Sequence, residues 1–587
     1  MIRGGIDVQL KKISIFLLVL ILSIAVLIGC NNDTEETTAP SNTEPVATGE
    51  DSVSDEIADT VIPAENPAAS PALAINRGGT VVVGLQEPGG VFTPYFNTSG
   101  YDGNVQSVMF PPLVEINELG EFIPGLAEEW TISDDELTYT FKLREHLKFD
   151  DGSPLTAEDV AFTLTLLHDP SYAGGTDITE ARIAGGLEYK EGAAESISGI
   201  HIIDKQTVEI TTEEVNARAL RLLGGQVLSK AYYGANYEKG DLDYLSDLHL
   251  QPLGAGPFRF VQYLPGQEIR YEANEHYFAG KPDIELFIYK TTEGDSQQFF
   301  QTGELDYSGF AANADNFELL QSLGFADINL YTSSAYSYIT FNHENPIFED
   351  PRVRQALIHG LDRQTIIDIH FQGYANVANV PVSPASWAYT DEVGQTSYDL
   401  ENAKALLEEA GWIAGSDGIR EKDGEKLQIY YFTTAGGIAD TLIPIATENY
   451  KELGVDFQVE QMDFNALLSR VDNGEHDLAS FSTPMLTDPY NGVASFHSKN
   501  TTSVVKGYEN AEIDALIDAT NATTDQAART AAFKELYEAL DEDPPVILLS
   551  YSKVLSANNA RVEGFLPNGY RGISTSLKDL KIMDVNE

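Results

Sequence analysis

The chain has 587 residues, with 91 Asp and Glu against 36 Lys and Arg and a formal net charge of −55. This length predicts more than one domain, because single cores stop growing at roughly 250–300 residues, and 42% hydrophobic residues with 28 Tyr and 27 Phe argue against a largely disordered chain. The acidity argues against a nucleic-acid partner and against docking on anionic lipid through a basic patch, while the single cysteine, Cys30, rules out an internal disulfide framework, a CxxC redox pair and a cysteine-ligated zinc site.

In chain order, Arg3, Lys11 and Lys12 precede an uncharged apolar run over residues 13–28, which ends in Gly29 and Cys30. A positive start, an apolar stretch and a small residue before the break form the pattern of an export signal. The run is 16 residues, short of the ~20 that span a bilayer comfortably. Leu27-Ile28-Gly29-Cys30 resembles a bacterial lipobox, so residues 1–30 are expected to be a lipoprotein signal peptide and Cys30 the lipidation site. From Asn31 to Ile75 there is no Lys, Arg or aromatic residue. Residues 31–76 are therefore expected to form a disordered acidic tether, since such a segment cannot offset its ordering entropy by burial.

Globular patterning starts at Thr80, where Thr80-Val81-Val82-Val83-Gly84-Leu85 reads as a buried strand. Leu137, Tyr139, Phe141 and Leu143 alternate with Thr138, Thr140 and Lys142, which predicts a half-exposed strand. Thr156-Ala157-Glu158-Asp159 reads as a capping box opening a helix with Val160, Leu164 and Leu167 on one face. Asp350-Pro351 supplies an N-cap and a first-turn proline for another helix. Ala403, Leu406, Leu407 and Ala410 form an amphipathic stripe that stops at Gly411. Strands and helices interleave throughout, so the fold class is mixed α/β (α+β).

The block from Leu113 to Val160 contains Pro124-Gly125-Leu126-Ala127-Glu128-Glu129-Trp130, Tyr139-Thr140-Phe141-Lys142-Leu143-Arg144 and Phe149-Asp150-Asp151-Gly152-Ser153-Pro154-Leu155-Thr156-Ala157. Gly254-Ala255-Gly256-Pro257-Phe258, Phe341-Asn342-His343, the run from Phe348 to Leu357, Asp362-Arg363 and the run from Ala403 to Trp412 follow in order. Together these resemble the extracytoplasmic solute-binding proteins of the peptide/nickel/opine ABC-importer family, over residues 78–565. The resemblance implies a two-lobed clamp that closes on its ligand. Lobe I would comprise residues 77–112, 251–335 and 546–587, with an extra subdomain, 113–250, inserted in it, and lobe II residues 336–545. The chain would cross between lobes near 333–338 and 545–551. Trp130, Phe141 and the turn over residues 150–157 read as scaffold.

No enzyme signature is found: GxSxG, HExxH and P-loop motifs are absent, and the 10 histidines form no i,i+4 ligand pair. His343 and His497 are read as scaffold before ligand contacts, and no cofactor or metal is expected. The binding candidates lie on loops. Glu87, Tyr95 and Tyr101 follow the first strand, and Asp102 reads as a helix N-cap. The loop over residues 381–389 resembles the family loop that brings an aromatic pair to the site, so Trp387 and Tyr389 are candidates, Trp387 foremost. Thr433 and Thr434 end the strand over 427–432. In the loop 481–490, peptide binders of the family commonly place an acid four residues before Pro489, to grip a free amine. Met485 holds that place here, Asp488 matches a position that is often structural, and Tyr490 completes the candidate set. No Arg or Lys follows the 427–432 strand, where dipeptide binders put the partner of the ligand carboxylate. Little preference for free over capped peptide termini is therefore expected.

The resemblance implies a monomeric, lipid-anchored receptor on the extracytoplasmic face of the membrane that captures a small solute, with oligopeptide the default cargo, and delivers it to an ABC permease and its ATPase. An oligosaccharide, an opine-like compound or a metal chelate in the same clamp remains open, as does a surface lipoprotein that senses ligand without transport; a hydrolase stands last. One outcome follows from charge alone. A body this negative repels itself when compact, and salt screens that repulsion. Added NaCl should raise the urea midpoint of unfolding, and a midpoint that is flat or falls between low and molar salt would refute this.

Overall fold

In the computed structural model, residues 59–583 are described, apart from 98, 293, 295, 484–486 and 501–504. The expected lipidation site Cys30, the rest of the signal peptide and residues 31–58 of the expected tether lie outside the described residues, as does Met485. The organising element is a 13-stranded sheet. Its spine is one 14-residue strand, Val546–Asn559. The first part of that strand pairs antiparallel with Ser337–Phe341, from Thr340 against Val546 to Ser337 against Ser550. Its last seven residues pair with Ala326–Thr332, from Thr332 against Lys553 to Ala326 against Asn559. Between the two, Tyr551 and Ser552 pair on the other side with Ala375–Val377. The chain passes from one partner strand to the other through residues 333–336, beside the point where the long strand changes partners.

Two cores hang on this spine. On one side, Ser337–Phe341 continues through Leu478–Ser482 and Gln428–Thr434 to Asp456–Met462, and the core under these strands is built from residues 339–549. The last three strands are mutually parallel, as strands connected by helices such as Ala439–Leu453 must be. On the other side, Tyr307–Phe310, Thr80–Leu85, Leu286–Thr291, Glu268–Ala273 and Phe258–Leu264 follow in order. The inserted subdomain has its own four-stranded sheet, ordered Ala127–Ile132, Thr138–Leu143, Thr207–Thr211, Ile200–Ile202. It shares one continuous hydrophobic core with the surrounding lobe, running from Val81 through Tyr139 and Leu220 to Leu580. The architecture is thus a two-lobed mixed α/β clamp, the lobes joined by a common strand.

Local structure follows the sequence pattern closely. Tyr139, Phe141 and Leu143 of Thr138–Leu143 are buried, while Lys142 is exposed. Thr156 and Asp159 form a reciprocal capping box on Ala157–Leu167, with Val160, Leu164 and Leu167 inward. Asp350 caps Pro351–His359 by accepting from the Arg352 amide at 3.0 Å. The helix Leu400–Glu409 buries Ala403 and Leu407 and is stopped by Gly411, whose φ of 91° other residues rarely adopt.

One boundary differs from expectation. Residues 59–76, assigned by composition to the tether, are part of the folded body. Thr60–Ile62 adds an antiparallel edge strand against Ile328, Asn329 and Leu330, and the Ala64 amide donates to Asp327 Oδ1 at 2.9 Å. Short helices follow at Pro67–Ala69 and Ala72–Ile75. Ala74 is fully buried, and Ser70 Oγ donates to Asn559 Oδ1 at 2.8 Å. An edge strand is held by backbone hydrogen bonds that any side chain permits, and small residues fit where larger ones would clash: Pro71 and Ala74 pack directly over Gly303. Composition misses both effects.

A buried ion cluster ties the start of the body to its end. Asp306, fully buried, accepts from Arg561 through both oxygens at 2.7 and 2.8 Å, from Arg77 at 2.9 Å and from the Val82 amide at 2.9 Å. Arg561 spends its remaining donors on the carbonyls of Gly78 and Thr80. Burial pulls the Arg77 pKa down, only partly offset by Asp306. Removing the acid would leave a buried guanidinium without its counter-charge. Asp306→Ala should therefore cost about 3–5 kcal/mol, read as a lower urea midpoint; a loss below about 1 kcal/mol, the range of an exposed ion pair, would show the cluster to be energetically idle.

Candidate ligand-binding cavity

Where the lobes face each other lies a half-open cavity of about 450 Å³, within the size range of small-ligand sites. One wall comes from the lobe carrying the inserted subdomain: Tyr95, Gln226, Arg218, Arg221 and Arg571. The facing wall is Thr487, Asp488 and Asn491. Contacts between the lobes hold the two walls together. The Ala217 amide donates to Asn521 O at 3.1 Å, the Thr524 amide to Glu136 Oε2 at 2.7 Å, and the Tyr570 hydroxyl to Ala385 O at 2.6 Å. The Arg218 guanidinium lies 4.8 Å over the Tyr490 ring.

The charges on these walls are mostly paired. Arg218 meets Glu180 at 2.6 Å, and Arg571 meets Glu115 at 2.8 Å. Asp488, buried, takes a two-pronged contact from Arg529 at 2.9 and 3.1 Å and a third bond from the Tyr490 amide at 2.9 Å. Asp177, at the cavity edge, caps the turn Ile178–Ala181 by accepting from Thr179. Arg221 differs. It lies on the one-turn helix Ala219–Leu223, is half-buried, and its guanidinium has no hydrogen bond or ion pair at contact distance among the described residues. Burial, reinforced by the nearby Arg571 and opposed by Glu115, Tyr95 and Asp488, lowers its pKa to about 10, so it stays cationic at neutral pH.

The expected site residues are distributed unevenly. Tyr95 lines the cavity but is fixed by its own bonds: its hydroxyl donates to Gln226 O at 2.7 Å, and its carbonyl accepts from Tyr172. Burial raises its pKa. Gly225 is required beside it, because a Cβ there would stand 2.4 Å from the Tyr95 hydroxyl. Asp488 lines the cavity and is committed to Arg529, and Tyr490 contributes to the rim. Glu87 does not reach the cavity. It joins Tyr263 (2.6 Å), Gly266 N (2.9 Å) and Thr291 (2.9 Å), and these bonds outweigh the upward push of burial to hold its carboxyl below the usual range. Tyr101 is exposed and donates to Gln86 at 2.6 Å. Asp102 is not the helix cap: Ser99 caps Gly100–Ser107, and buried Asp102 accepts from the amides of Gly90 and Val91.

Neither of the aromatic pair lines this cavity, although half-buried Trp387 lines a small adjoining pocket that shares Thr487 and Asp488 with it. Trp387 meets Phe533 edge-on at 5.8 Å, with the Arg529 guanidinium 5.0 Å over its ring, so it backs the Arg529–Asp488 pair. Tyr389 packs edge-on against Tyr551 at 5.9 Å. Thr433 is buried and Thr434 half-buried, both paired in the sheet with Gln461 and Met462. His343 is scaffold: Arg354, which can only donate, faces Nδ1 at 3.0 Å, so Nε2 carries the proton and donates to Pro545 O at 2.8 Å. Burial and Arg354 lower its pKa to about 4. His497 sits between Asp514 and Asp518. Among the described residues no cluster of His, Cys, Asp and Glu could hold a metal ion, and no helix is long and apolar enough to cross a membrane. Sequence reasoning missed Arg218, Arg221 and Arg571. The available signal was a pair of arginines at i,i+3 in a chain poor in cations.

A polar cavity between two lobes that share one strand defines a clamp-type solute-binding protein. The model of the bacterial extracellular solute-binding proteins, family 5, matches residues 121–503, and the chain belongs to that family. It is 27% identical over 502 residues to the oligopeptide-binding protein AppA of Bacillus subtilis, covering 83% of this chain and 89% of the relative. To the dipeptide-binding protein of Escherichia coli it is 28% identical over 501 residues, covering 81% and 90%. The solved structure of Bacillus subtilis AppA in complex with a nonapeptide matches with a TM-score of 0.70 at 26% identity, covering 86% of this chain and 99% of the other. These are solute-binding proteins of ABC importers and not enzymes, and the chain is of the same kind.

The position of Trp387 yields a test. Trp387→Ala removes an aromatic wedge from Phe533 and uncovers Arg529, with an expected loss of about 3 kcal/mol in stability. Ligand affinity of the folded variant should change by less than about threefold. A tenfold loss of affinity at an unchanged urea midpoint would place the indole in contact with ligand.

Proposed function

We propose that the protein captures a short peptide outside the cell membrane and hands it to an ABC permease, acting as a monomer held to the membrane by lipid on Cys30. The observation that carries this reading is the cavity itself. Its two walls come from different lobes, so ligand contacts on both sides favour the closed arrangement over an open one, and a closed, loaded clamp is what a permease can distinguish from an empty one. Peptide is favoured by the relatives, named for oligopeptides and dipeptides, and by walls rich in hydrogen-bonding groups. An oligosaccharide is less favoured, because Tyr389 is packed against Tyr551 and Trp387, packed against Phe533, lines only a small pocket beside the cavity.

Two measurements test the proposal. Native mass spectrometry of the protein purified from its own host should show a retained peptide, and a retained sugar or chelate would replace the cargo while leaving the clamp. Cys30→Ser should release the protein from the membrane fraction or leave it unprocessed, because stable anchoring depends on the acyl chains. Equal membrane retention of wild type and variant, with both processed to the same extent, would rule out the lipid anchor.

A further inference from the structure

We infer that Arg221, with Arg571 beside it, is the anion anchor of the cavity and receives a carboxylate of the ligand. This deepens the reading of the cavity as a solute site and rests on it. The inference comes from the balance of charges on the walls. Arg218 has Glu180, Arg571 has Glu115, and Asp488 has Arg529, each at hydrogen-bonding distance. Asp177 is occupied with Thr179. Arg221 alone among these groups faces the space without a described partner, although it is half-buried and stands near a second guanidinium. A cation so placed gives up hydration and is compensated only at longer range, by Glu115, Tyr95 and Asp488, with no partner at contact distance among the described residues, an arrangement that makes sense when that partner arrives with the ligand. Guanidinium suits this task because its planar fork matches a carboxylate with two parallel bonds.

The anchor is also in an unexpected place. It sits on Ala219–Leu223 of the inserted subdomain, whereas the family pattern puts the carboxylate's partner after the strand that ends in Thr433 and Thr434. The indifference to capped termini expected from that empty position would then hold for the amino end and fail for the carboxyl end. Glu180 and Asp177, lining the cavity on the Arg218 side, leave room for a cationic group on the same ligand but are already engaged, so the carboxylate is the specified end.

The test compares full-length wild type, Arg221→Gln, Arg221→Lys and, as a structural contrast, Arg529→Gln, by calorimetry against one peptide library synthesised as free acids and as C-terminal amides. Free acids should bind wild type roughly ten- to a hundredfold more tightly than amides, Arg221→Gln should erase that ratio, and Arg221→Lys should keep part of it. The urea midpoint of Arg221→Gln should be unchanged or raised, since an unpaired cation beside Arg571 is lost, while that of Arg529→Gln should fall because Asp488 is left buried and alone. Equal binding of acids and amides by wild type overturns the anchor and leaves the peptide reading standing. A lowered midpoint in Arg221→Gln assigns Arg221 to the scaffold and also overturns it. If no library member binds, the peptide reading fails, and the anchor is then judged on the ligand that mass spectrometry finds in host-purified protein. A carboxylate-bearing ligand lost from Arg221→Gln supports it; a ligand without an anionic group overturns it.

Discussion

The strand Val546–Asn559 is the constraint on which both lobes depend. Each of its residues must satisfy its backbone donor and acceptor, and it does so by pairing with Ser337–Phe341 at one end and Ala326–Thr332 at the other. Because these two partners are consecutive in the chain, the four residues 333–336 that join them are obliged to sit beside the switch. The ladders above and below this point belong to separate lobes, and at the switch itself Tyr551 and Ser552 pair with Ala375–Val377. The cavity inherits its geometry from that arrangement: Arg221 and Asp488 belong to different lobes, and the shared strand, together with the direct contacts between the lobes, sets how they face each other.

Electrostatics divides the molecule into an acidic exterior and an interior that uses arginine as a fastener. Arg354, Arg363, Arg420, Arg529 and Arg561 are all buried. Several tie backbone carbonyls rather than acids: Arg363 reaches the carbonyls of Ala378, Leu548 and Thr396, and Arg420 those of Leu453 and Trp412. A guanidinium can hold several carbonyls in one plane, which suits loops that carry no ladder of their own. In a chain with 36 basic residues against 91 acidic ones, cations spent inside are not available to neutralise the surface. The cavity continues the same usage, with one arginine left over.

Much of the scaffold was legible in the sequence because its causes are local. Alternation at Tyr139, Phe141 and Leu143, the Thr156–Asp159 box and the Asp350–Pro351 start each depend on neighbours within a few residues, and each appears where the pattern puts it. The segment 59–76 was not legible, because an edge strand draws its stability from backbone bonds to a distant partner and leaves no mark on composition. The candidate site was the least legible part. Tyr95, Arg221, Asp488 and Arg571 come from four separate stretches of chain, and no spacing rule joins them. Trp387 was chosen for its chemistry as a large rigid aromatic, yet the same chemistry makes it a good packing wedge against Phe533, and only the fold decides between those uses. The i,i+3 pair Arg218 and Arg221 was visible, but which of the two keeps a carboxylate partner depends on Glu180, 38 residues earlier in the sequence.

The docking of Thr60–Ile62 against Ile328–Leu330 has a mechanical consequence. The chain enters the folded body on the lobe that also carries Arg221 and the inserted subdomain, and it enters through a β-ladder rather than a free end. Any attachment made upstream is thus transmitted to that lobe first. Closure on a ligand, in the frame of such an attachment, would make that lobe the stationary jaw and leave residues 337–549 to move. The same added strand occupies backbone groups of Ala326–Thr332 and, only three residues long, becomes the new edge there, and an edge that short offers little for another copy to pair with.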